Sequence, residues 1–178
     1  MDGRSISDGD SLANGRGERL TFVSLPTDPE RDPLVVEVAY RPGGAPPDHR
    51  HPEQHERFEV LSGALEVTIA GASRQRNAGA VFEVAPATVH TMRAVGDDTR
   101  VRWTITPALG TERFFRSTWA LDAAAGGRGR SDLLRLAQVL HAHRREFRLA
   151  RPGEPFQGVL VGFLAGIGRL LGRRLEVR

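Results

Sequence analysis

The chain has 178 residues and contains neither cysteine nor lysine, so all 25 of its basic residues are arginines. This composition excludes disulfides, thiolate metal sites, cysteine nucleophiles and lysine Schiff bases. The length predicts one domain with a substantial core, and a net charge of +3 is too small to indicate nucleic-acid binding.

The charge changes sign along the chain. Residues 1–125 hold 14 arginines against 18 acidic residues, whereas residues 126–178 hold 11 against 4. Residues 1–18 are rich in glycine, serine and aspartate and have no apolar run, which predicts a disordered leader and not a signal peptide. We therefore expect a cytoplasmic protein.

Short strand-like runs separated by glycine and proline fill residues 19–108. The pattern predicts strands over residues 20–25, 34–40, 56–60, 65–69, 81–84, 88–94 and 101–105, with a polar turn over 71–79. Many short strands at close spacing are typical of an antiparallel sandwich or barrel. This region is therefore predicted to be the β domain.

Residues 109–178 are predicted to form a helical extension that packs on the barrel or on a dimer partner. Residues 112–125 lack helix breakers, and residues 155–171 form an apolar, glycine-rich run. Between them, Ser131 is a candidate N-cap with Asp132 in the first turn, and apolar residues recur at near-helical spacing as far as Phe147.

The stretch from residue 43 to residue 63 carries the chemistry of the chain. His49 and His51 are two apart, so on an extended strand both imidazoles lie on one face. Pro52 ends that strand, and Glu56 then alternates in phase with the apolar residue Phe58. A buried carboxylate is costly unless it is compensated, and a metal ion shared with the histidines would compensate it.

These residues resemble the first motif of the cupin superfamily. That motif runs Gly, five residues, His-x-His, three or four residues, Glu, six residues, Gly. The matching residues are Gly43, His49, His51, Glu56 and Gly63. The second cupin motif has a glycine and a histidine at the separation of Gly79 and His90. Three of its other positions depart, with alanine in place of proline, glycine and asparagine: Ala85, Ala87 and Ala94.

The resemblance covers about residues 34–107 and implies an all-β, double-stranded β-helix (a jelly-roll barrel) with C-terminal α-helices. It implies His49, His51, Glu56 and His90 as ligands of one divalent transition metal. Imidazole and carboxylate ligands suit Fe, Mn, Ni, Zn or Cu without choosing among them. Four protein ligands on a six-coordinate ion leave two positions for substrate, water or dioxygen. The alternative is a cupin that keeps the barrel without a metal.

Two further residues near the motif, His55 and Tyr40, carry groups that can act next to a metal. His55 has the opposite parity to Glu56, so we expect it at the surface or in the outer sphere of the metal. Tyr40 shares a face with Val36 and Val38, which predicts a core residue, although a phenol lining the barrel could donate a proton. Four residues are candidates for the substrate pocket, although packing in the core alone would also explain each of them: Phe58, Phe82, Met92 and Trp103.

The resemblance implies a metal-dependent enzyme acting on a small organic molecule, with an oxygen-using dioxygenase of the quercetinase-like kind favoured. A metal-assisted isomerase or cyclase and a non-catalytic small-molecule binder or sensor are the alternatives, because a fold does not fix chemistry.

The last apolar run, residues 155–171, indicates how the chain associates with a partner. Gly158, Gly162 and Gly166 follow a spacing that lets helices approach closely. We expect this helix to join two chains as a homodimer or to cap the barrel. A membrane-surface helix is the alternative.

Overall fold

The computed structural model describes residues 6–43, 45–126, 132–151, 153 and 155–172. Within these residues the chain forms eleven strands and three helices. The strands are β1 (Ser11–Ala13), β2 (Arg19–Ser24), β3 (Leu34–Tyr40), β4 (His49–Arg50), β5 (His55–Ser62), β6 (Ala64–Ile69), β7 (Ala72–Asn77), β8 (Val81–Val84), β9 (His90–Ala94), β10 (Thr99–Thr106) and β11 (Arg148–Leu149). The helices are α1 (Thr111–Ala124), α2 (Leu133–Ala142) and α3 (Phe156–Leu170).

The strands form two antiparallel sheets. The first has the order β1-β2-β3-β10-β5-β8, and the second has the order β11-β4-β9-β6-β7. Strands that are distant in sequence are neighbours in both sheets, as β10 lies between β3 and β5. This jelly-roll arrangement, followed by helices, confirms the predicted fold class.

Alternating side chains of the strands build a core in two parts. One cluster lies between the sheets and includes Phe58, Val60 and Leu65. The other joins the first sheet to the helices and includes Val36, Ile105 and residues of α1 and α2. Tyr40 and Trp103 pack against both clusters. The helices α1 and α2 therefore complete the core and do not merely follow the barrel.

Two predictions about the β domain were wrong. The leader is not disordered throughout, because β1 pairs with β2 and buries Leu12. Residues 1–5 lie outside the described residues. The predicted turn over 71–79 contains β7, which pairs with β6 along its whole length. As the last strand of its sheet, β7 has polar side chains that are mostly exposed, so its sequence shows no apolar alternation.

The second helix differs from the prediction at both ends. Asp132 is its N-cap, with the side chain accepting from the amides of Leu134 and Arg135, while the proposed cap Ser131 lies outside the described residues. The helix ends at Ala142 and not near Phe147. The chain then turns back and pairs β11 with β4, beside His49.

The third helix packs along the second. Gly168 lies against Gln138 and Leu134, and Gly162 lies near His141. None of the helices in the described part of the chain is long and apolar enough to span a membrane.

Candidate metal centre

Three strands bring the predicted ligand residues together. His49 begins β4 and lies directly opposite His90, the first residue of β9. His51 follows β4, and Glu56 lies on β5 with its side chain turned inward, as its parity predicts. All four side chains are buried, and Glu56 has no exposed surface.

The four side chains converge on one point. One nitrogen from each of His49, His51 and His90 lies within 4.8 Å of the others. The two oxygens of Glu56 divide between two of these rings, with Oε1 3.2 Å from His51 Nε2 and Oε2 3.2 Å from His90 Nε2. Two ligand atoms about 2.1 Å from an ion and at right angles to each other are separated by about 3 Å. The spacing therefore fits a shared transition metal.

Unsatisfied polar atoms supply an independent test of this fit. Among the described residues, no hydrogen-bond partner is found for either oxygen of Glu56 or for Nε2 of His51 and His90. Buried polar atoms are nearly always paired, and leaving one unpaired costs about 1–3 kcal/mol. Four such atoms at one point fit a metal ion that would bind them all.

Backbone carbonyls fix two of the imidazoles in the ligand tautomer. His49 donates from Nδ1 to the carbonyl oxygen of Pro47 at 2.8 Å, and His90 donates from Nδ1 to that of Thr88 at 3.0 Å. A carbonyl can only accept, so the proton lies on Nδ1 and the lone pair on Nε2. This outer-sphere orientation is typical of metal-binding histidines.

The electrostatics of the centre favour neutral imidazoles. Burial, followed by the charges of His90 and His51, lowers the pKa of His49 to about 2. Burial and then the charge of His90 lower the pKa of His51 to about 3, and burial also lowers the pKa of His90. Burial raises the pKa of Glu56 well above its usual value, against the opposing effect of the Trp103 indole. A bound cation would offset the cost of the buried carboxylate.

The second motif keeps its turn despite its alanines. Ala87 occupies the position of the motif glycine and has φ of 61°, the left-handed conformation that glycine adopts most easily. Its amide donates to the carbonyl oxygen of His51 at 2.8 Å. The departure at Ala87 therefore leaves the turn in place, at a cost in backbone strain.

A cavity of about 310 Å³ reaches the three histidines. Its walls include two of the predicted pocket residues, Met92 and Trp103, and also Tyr40. The other two predicted pocket residues are core residues: Phe58 stacks between Phe82 and Trp103, with ring centroids 5.0 Å and 5.3 Å away. The alternation of side chains along the strands correctly predicted that both phenylalanines lie inside the barrel. Alternation does not distinguish the packed core from the cavity.

Most of the aromatic wall was missed from the sequence because it comes from the helices. Phe114, Phe115 and Trp119 reach the cavity from α1. Phe147 follows α2 and stacks on His49, with ring centroids 4.7 Å apart and planes 20° apart. The apolar spacing of these residues indicated a helix, but nothing local indicated what its face would cover.

The mouth of the cavity is polar. The turn between β1 and β2 contributes Asn14, Arg16 and Glu18. The buried Glu18 carboxylate accepts from Asn14 Nδ2 at 2.6 Å and from Arg16 at 2.9 Å. These residues fell within the predicted leader, so the sequence analysis did not place them at the cavity.

His55 points away from the metal centre. Its Nε2 lies 3.4 Å from the Glu83 carboxylate, and its side chain is 43% exposed. The opposite parity of His55 and Glu56 accounts for this outward orientation.

Comparison with known proteins identifies the fold family. The family profile described as a cupin domain matches residues 36–107. Among solved structures, KdgF from Halomonas sp. is 24% identical with a TM-score of 0.50, and the match covers 55% of this chain and 86% of that protein. An RmlC-like cupin from Shewanella frigidimarina is 18% identical with a TM-score of 0.50, covering 61% of this chain and 93% of that protein. No curated protein matches the chain. At these identities the structural likeness shows the fold alone.

Proposed function

We propose, from the match of residues 36–107 to the cupin domain profile, that this chain is a metal-dependent enzyme acting on a small, largely apolar organic molecule. We propose an oxygen-using dioxygenase as the reaction class, with a divalent transition metal held by His49, His51, Glu56 and His90. The observation that carries the proposal is the convergence of four unpaired, buried polar atoms on a point that the aromatic cavity reaches.

The residues that line the cavity favour a planar, aromatic substrate. Trp103, Phe115 and Trp119 offer flat apolar surfaces, on which an aromatic ring can stack with a gain of about 0.5–1.5 kcal/mol beyond area burial. A volume of about 310 Å³ lies at the lower end of the range for ligand sites and accommodates a small molecule.

A bound divalent ion would supply Lewis acidity and, where it is redox-active, access to dioxygen chemistry. The protein supplies orientation and proton control. The carbonyl oxygens of Pro47 and Thr88 hold the lone pairs of His49 and His90 toward the centre. Tyr40 lines the same cavity, and its phenol keeps its proton because burial raises its pKa. It can therefore donate a hydrogen bond to a substrate oxygen.

The protonated phenol of Tyr40 also favours a second candidate, a metal-assisted isomerase or cyclase. Such a reaction moves a proton within the substrate and needs no oxidant. The two candidates share the same metal site and cavity, and oxygen uptake distinguishes them.

The metal assignment is tested by comparing two histidine variants. We expect His51→Ala to strip the transition metal from the purified protein while the β circular-dichroism signal is retained. His55→Ala is the matched control, because it removes an imidazole four residues away that faces Glu83. It should keep metal content near that of the parent. Full metal in His51→Ala, or loss of metal in His55→Ala alone, would contradict the assignment.

The reaction class is tested with the metal-loaded protein and a panel of planar phenolic compounds. Oxygen consumption that requires both metal and compound supports the dioxygenase. Metal-dependent conversion without oxygen uptake supports the isomerase or cyclase. Tight binding of a compound without conversion by either route would identify a non-catalytic binding protein or sensor.

A further inference from the structure

The third helix is packed with its large apolar side chains outward. Its buried residues are Gln157, Ala165 and Gly168. Gly168 lies against Gln138 and Leu134 of α2, and Gln157 donates to the carbonyl oxygen of Leu149 in β11. The opposite face carries six exposed apolar side chains: Phe156, Val159, Leu160, Phe163, Leu170 and Leu171. Phe156 is 75% exposed and Leu170 is 88% exposed. An amphipathic helix normally has the reverse orientation, with its apolar face toward the core.

The exposed face has the spacing of a helix–helix seam. The exposed residues Phe156, Leu160, Phe163 and Leu170, with the partly buried Ile167 between the last two, are separated alternately by four and three residues. This is the period of a and d positions in a coiled coil, where each side chain packs between four residues of a facing helix. The repeat runs from the first residue of α3 to its last. We call these five residues the α3 seam.

We propose that the α3 seam is the interface between two copies of this chain, with the two α3 helices antiparallel across a two-fold axis. This inference goes beyond the proposed function and does not depend on it. A two-fold interface uses the same patch on both subunits, and the α3 seam has the uniform apolar character that such self-pairing needs.

The exposed area is of the size that a stable dimer requires. With about 150–200 Å² for each fully exposed side chain of this kind, the six exposed residues present roughly 600–800 Å². A standard protein interface buries about 800 Å² on each partner, and a patch of this size is large for a monomer. Gly166 lies beside the α3 seam. A Cβ built there meets no atom within 4 Å, so the space next to this glycine is open.

Charge favours the antiparallel orientation and a protein partner. Arg169 lies in the last turn of α3. An antiparallel pair aligns the two helix dipoles favourably, whereas a parallel pair places like ends of the dipoles side by side. Helices that lie on anionic membranes carry several basic residues on their polar face. In the described part of α3, Arg169 is the one charged residue, and the opposite face is occupied by α2.

The oligomeric state of the full chain tests the proposal. Sedimentation equilibrium of the parent should give twice the chain mass of 19.5 kDa. The double variant Leu160→Gln/Phe163→Gln keeps helix propensity and should weaken dimerisation by about 100-fold, because truncating central interface residues has effects of this order. Val95→Gln changes an exposed valine outside the helices and should stay dimeric. Circular dichroism that matches the parent would show that the double variant is folded.

A single cysteine tests the orientation, because the parent has none. Phe163 is the central residue of the α3 seam, so in an antiparallel pair it lies opposite its own copy. Phe163→Cys should therefore form a disulfide-linked dimer under mild oxidation, and Phe156→Cys should not. Equal cross-linking of both variants would indicate a parallel pair and overturn the proposed arrangement.

Three outcomes would overturn the interface itself. A parent that stays monomeric at a chain concentration of about 100 μM, which is about 100 times a micromolar dissociation constant, would exclude a stable dimer. A double variant that dimerises like the parent would place the interface elsewhere. Salt-reversible co-sedimentation of a monomeric parent with vesicles of phosphatidylglycerol and phosphatidylcholine, lost in the double variant, would assign the α3 seam to a membrane surface.

Discussion

Gly63 lies at the turn between β5 and β6 and has φ of 68°. A Cβ placed there would lie 2.7 Å from the Cα of Thr99 and 2.5 Å from its Oγ1. Gly71 has φ of 83°, but a Cβ there meets no atom within 4 Å. The two glycines therefore share the left-handed backbone and differ in the space around them.

This pair separates backbone strain from steric exclusion. We expect Gly71→Ala to lower the free energy of unfolding by about 1–2 kcal/mol, the cost of left-handed backbone for an L-residue. Gly63→Ala should cost a further 1–3 kcal/mol or so, because the backbone of Thr99 has to move. Urea denaturation of both variants measures the difference. Equal effects would show that Thr99 moves without cost.

Tyr40 is expected to dominate the alkaline behaviour of the protein. The chain has one tyrosine and neither lysine nor cysteine, so no other type of side chain in it has a usual pKa between about 9 and 12. Burial raises the pKa of Tyr40 above its usual value, and the charges of Glu18 and Glu56 raise it further. The folded state therefore holds this proton more tightly than the unfolded state does.

The sign of the effect follows from that difference in affinity. The contribution of Tyr40 to the free energy of unfolding is fully present below about pH 10, the usual pKa, and declines above it by at most about 1.4 kcal/mol per pH unit. We expect Tyr40→Phe to remove this decline. Unfolding by urea at several alkaline pH values measures it, and ultraviolet absorbance follows the phenolate. A folded parent whose tyrosine titrates near pH 10 would contradict this prediction.

At the scale of single residues, the sequence predicted which side chains converge at the candidate metal centre, because its signals are local. The alternation of a strand places His49 and His51 on one face and separates Glu56 from His55. The spacing of two motifs added His90. The distinction between packed and cavity-lining aromatics depends on neighbours from other strands, which is why the sequence alone could not decide between the pocket and the packed core for Phe58 and Phe82.

At the scale of elements, β11 and the residue before it connect the helical extension to the metal centre. The strand pairs with β4, so that Leu149 lies opposite His49. Phe147 stacks on the His49 ring and also contacts Phe114, with ring centroids 5.1 Å apart. Arg145 reaches both Glu30 at 3.0 Å and Glu53 at 2.9 Å in two loops of the β domain. These contacts hold the segment over the centre.

We therefore expect Phe147→Ala to weaken metal affinity by about 10-fold, since outer-sphere residues that orient ligands have effects of about 10–100-fold. Metal titration monitored by isothermal calorimetry measures this change. Phe156→Ala is the matched control, because that side chain is 75% exposed on α3 and should leave the affinity unchanged. Equal affinities in the two variants would show that the stacking does not orient His49.

The elements that the sequence did not predict are those whose neighbours determine them. Strand β7 has polar side chains on both faces and is stabilised by pairing with β6. Strand β11 has two residues and forms because β4 offers a free edge. Strand β3, which has a buried face, was predicted with the correct bounds, because apolar residues at every second position mark the buried face of a strand.

At the scale of the whole molecule, the β domain and the helices share one core and one cavity. The cluster next to the first sheet includes Val139 of α2 and is packed by Leu140 and Phe147. The cavity takes its histidine-bearing wall from the sheets and much of its aromatic wall from α1 and the segment after α2. The helices should therefore be needed for both stability and metal binding, to different extents.

Two truncations separate these contributions. A chain ending at residue 150 loses α3 but keeps Phe147 and β11, so we expect it to be monomeric and to retain its metal. A chain ending at residue 126 also loses the fully buried Val139 and the partly buried Leu140 and Phe147. Full burial of one such side chain is worth roughly 1.5–3 kcal/mol, and 1 kcal/mol shifts the unfolding midpoint by about 2–4 °C in a protein of this size. Its melting temperature should therefore fall by at least about 5 °C, with loss of metal affinity. Thermal unfolding and metal analysis of both chains measure this. If the shorter chain matched the longer one in both properties, the β domain would be independent of its extension.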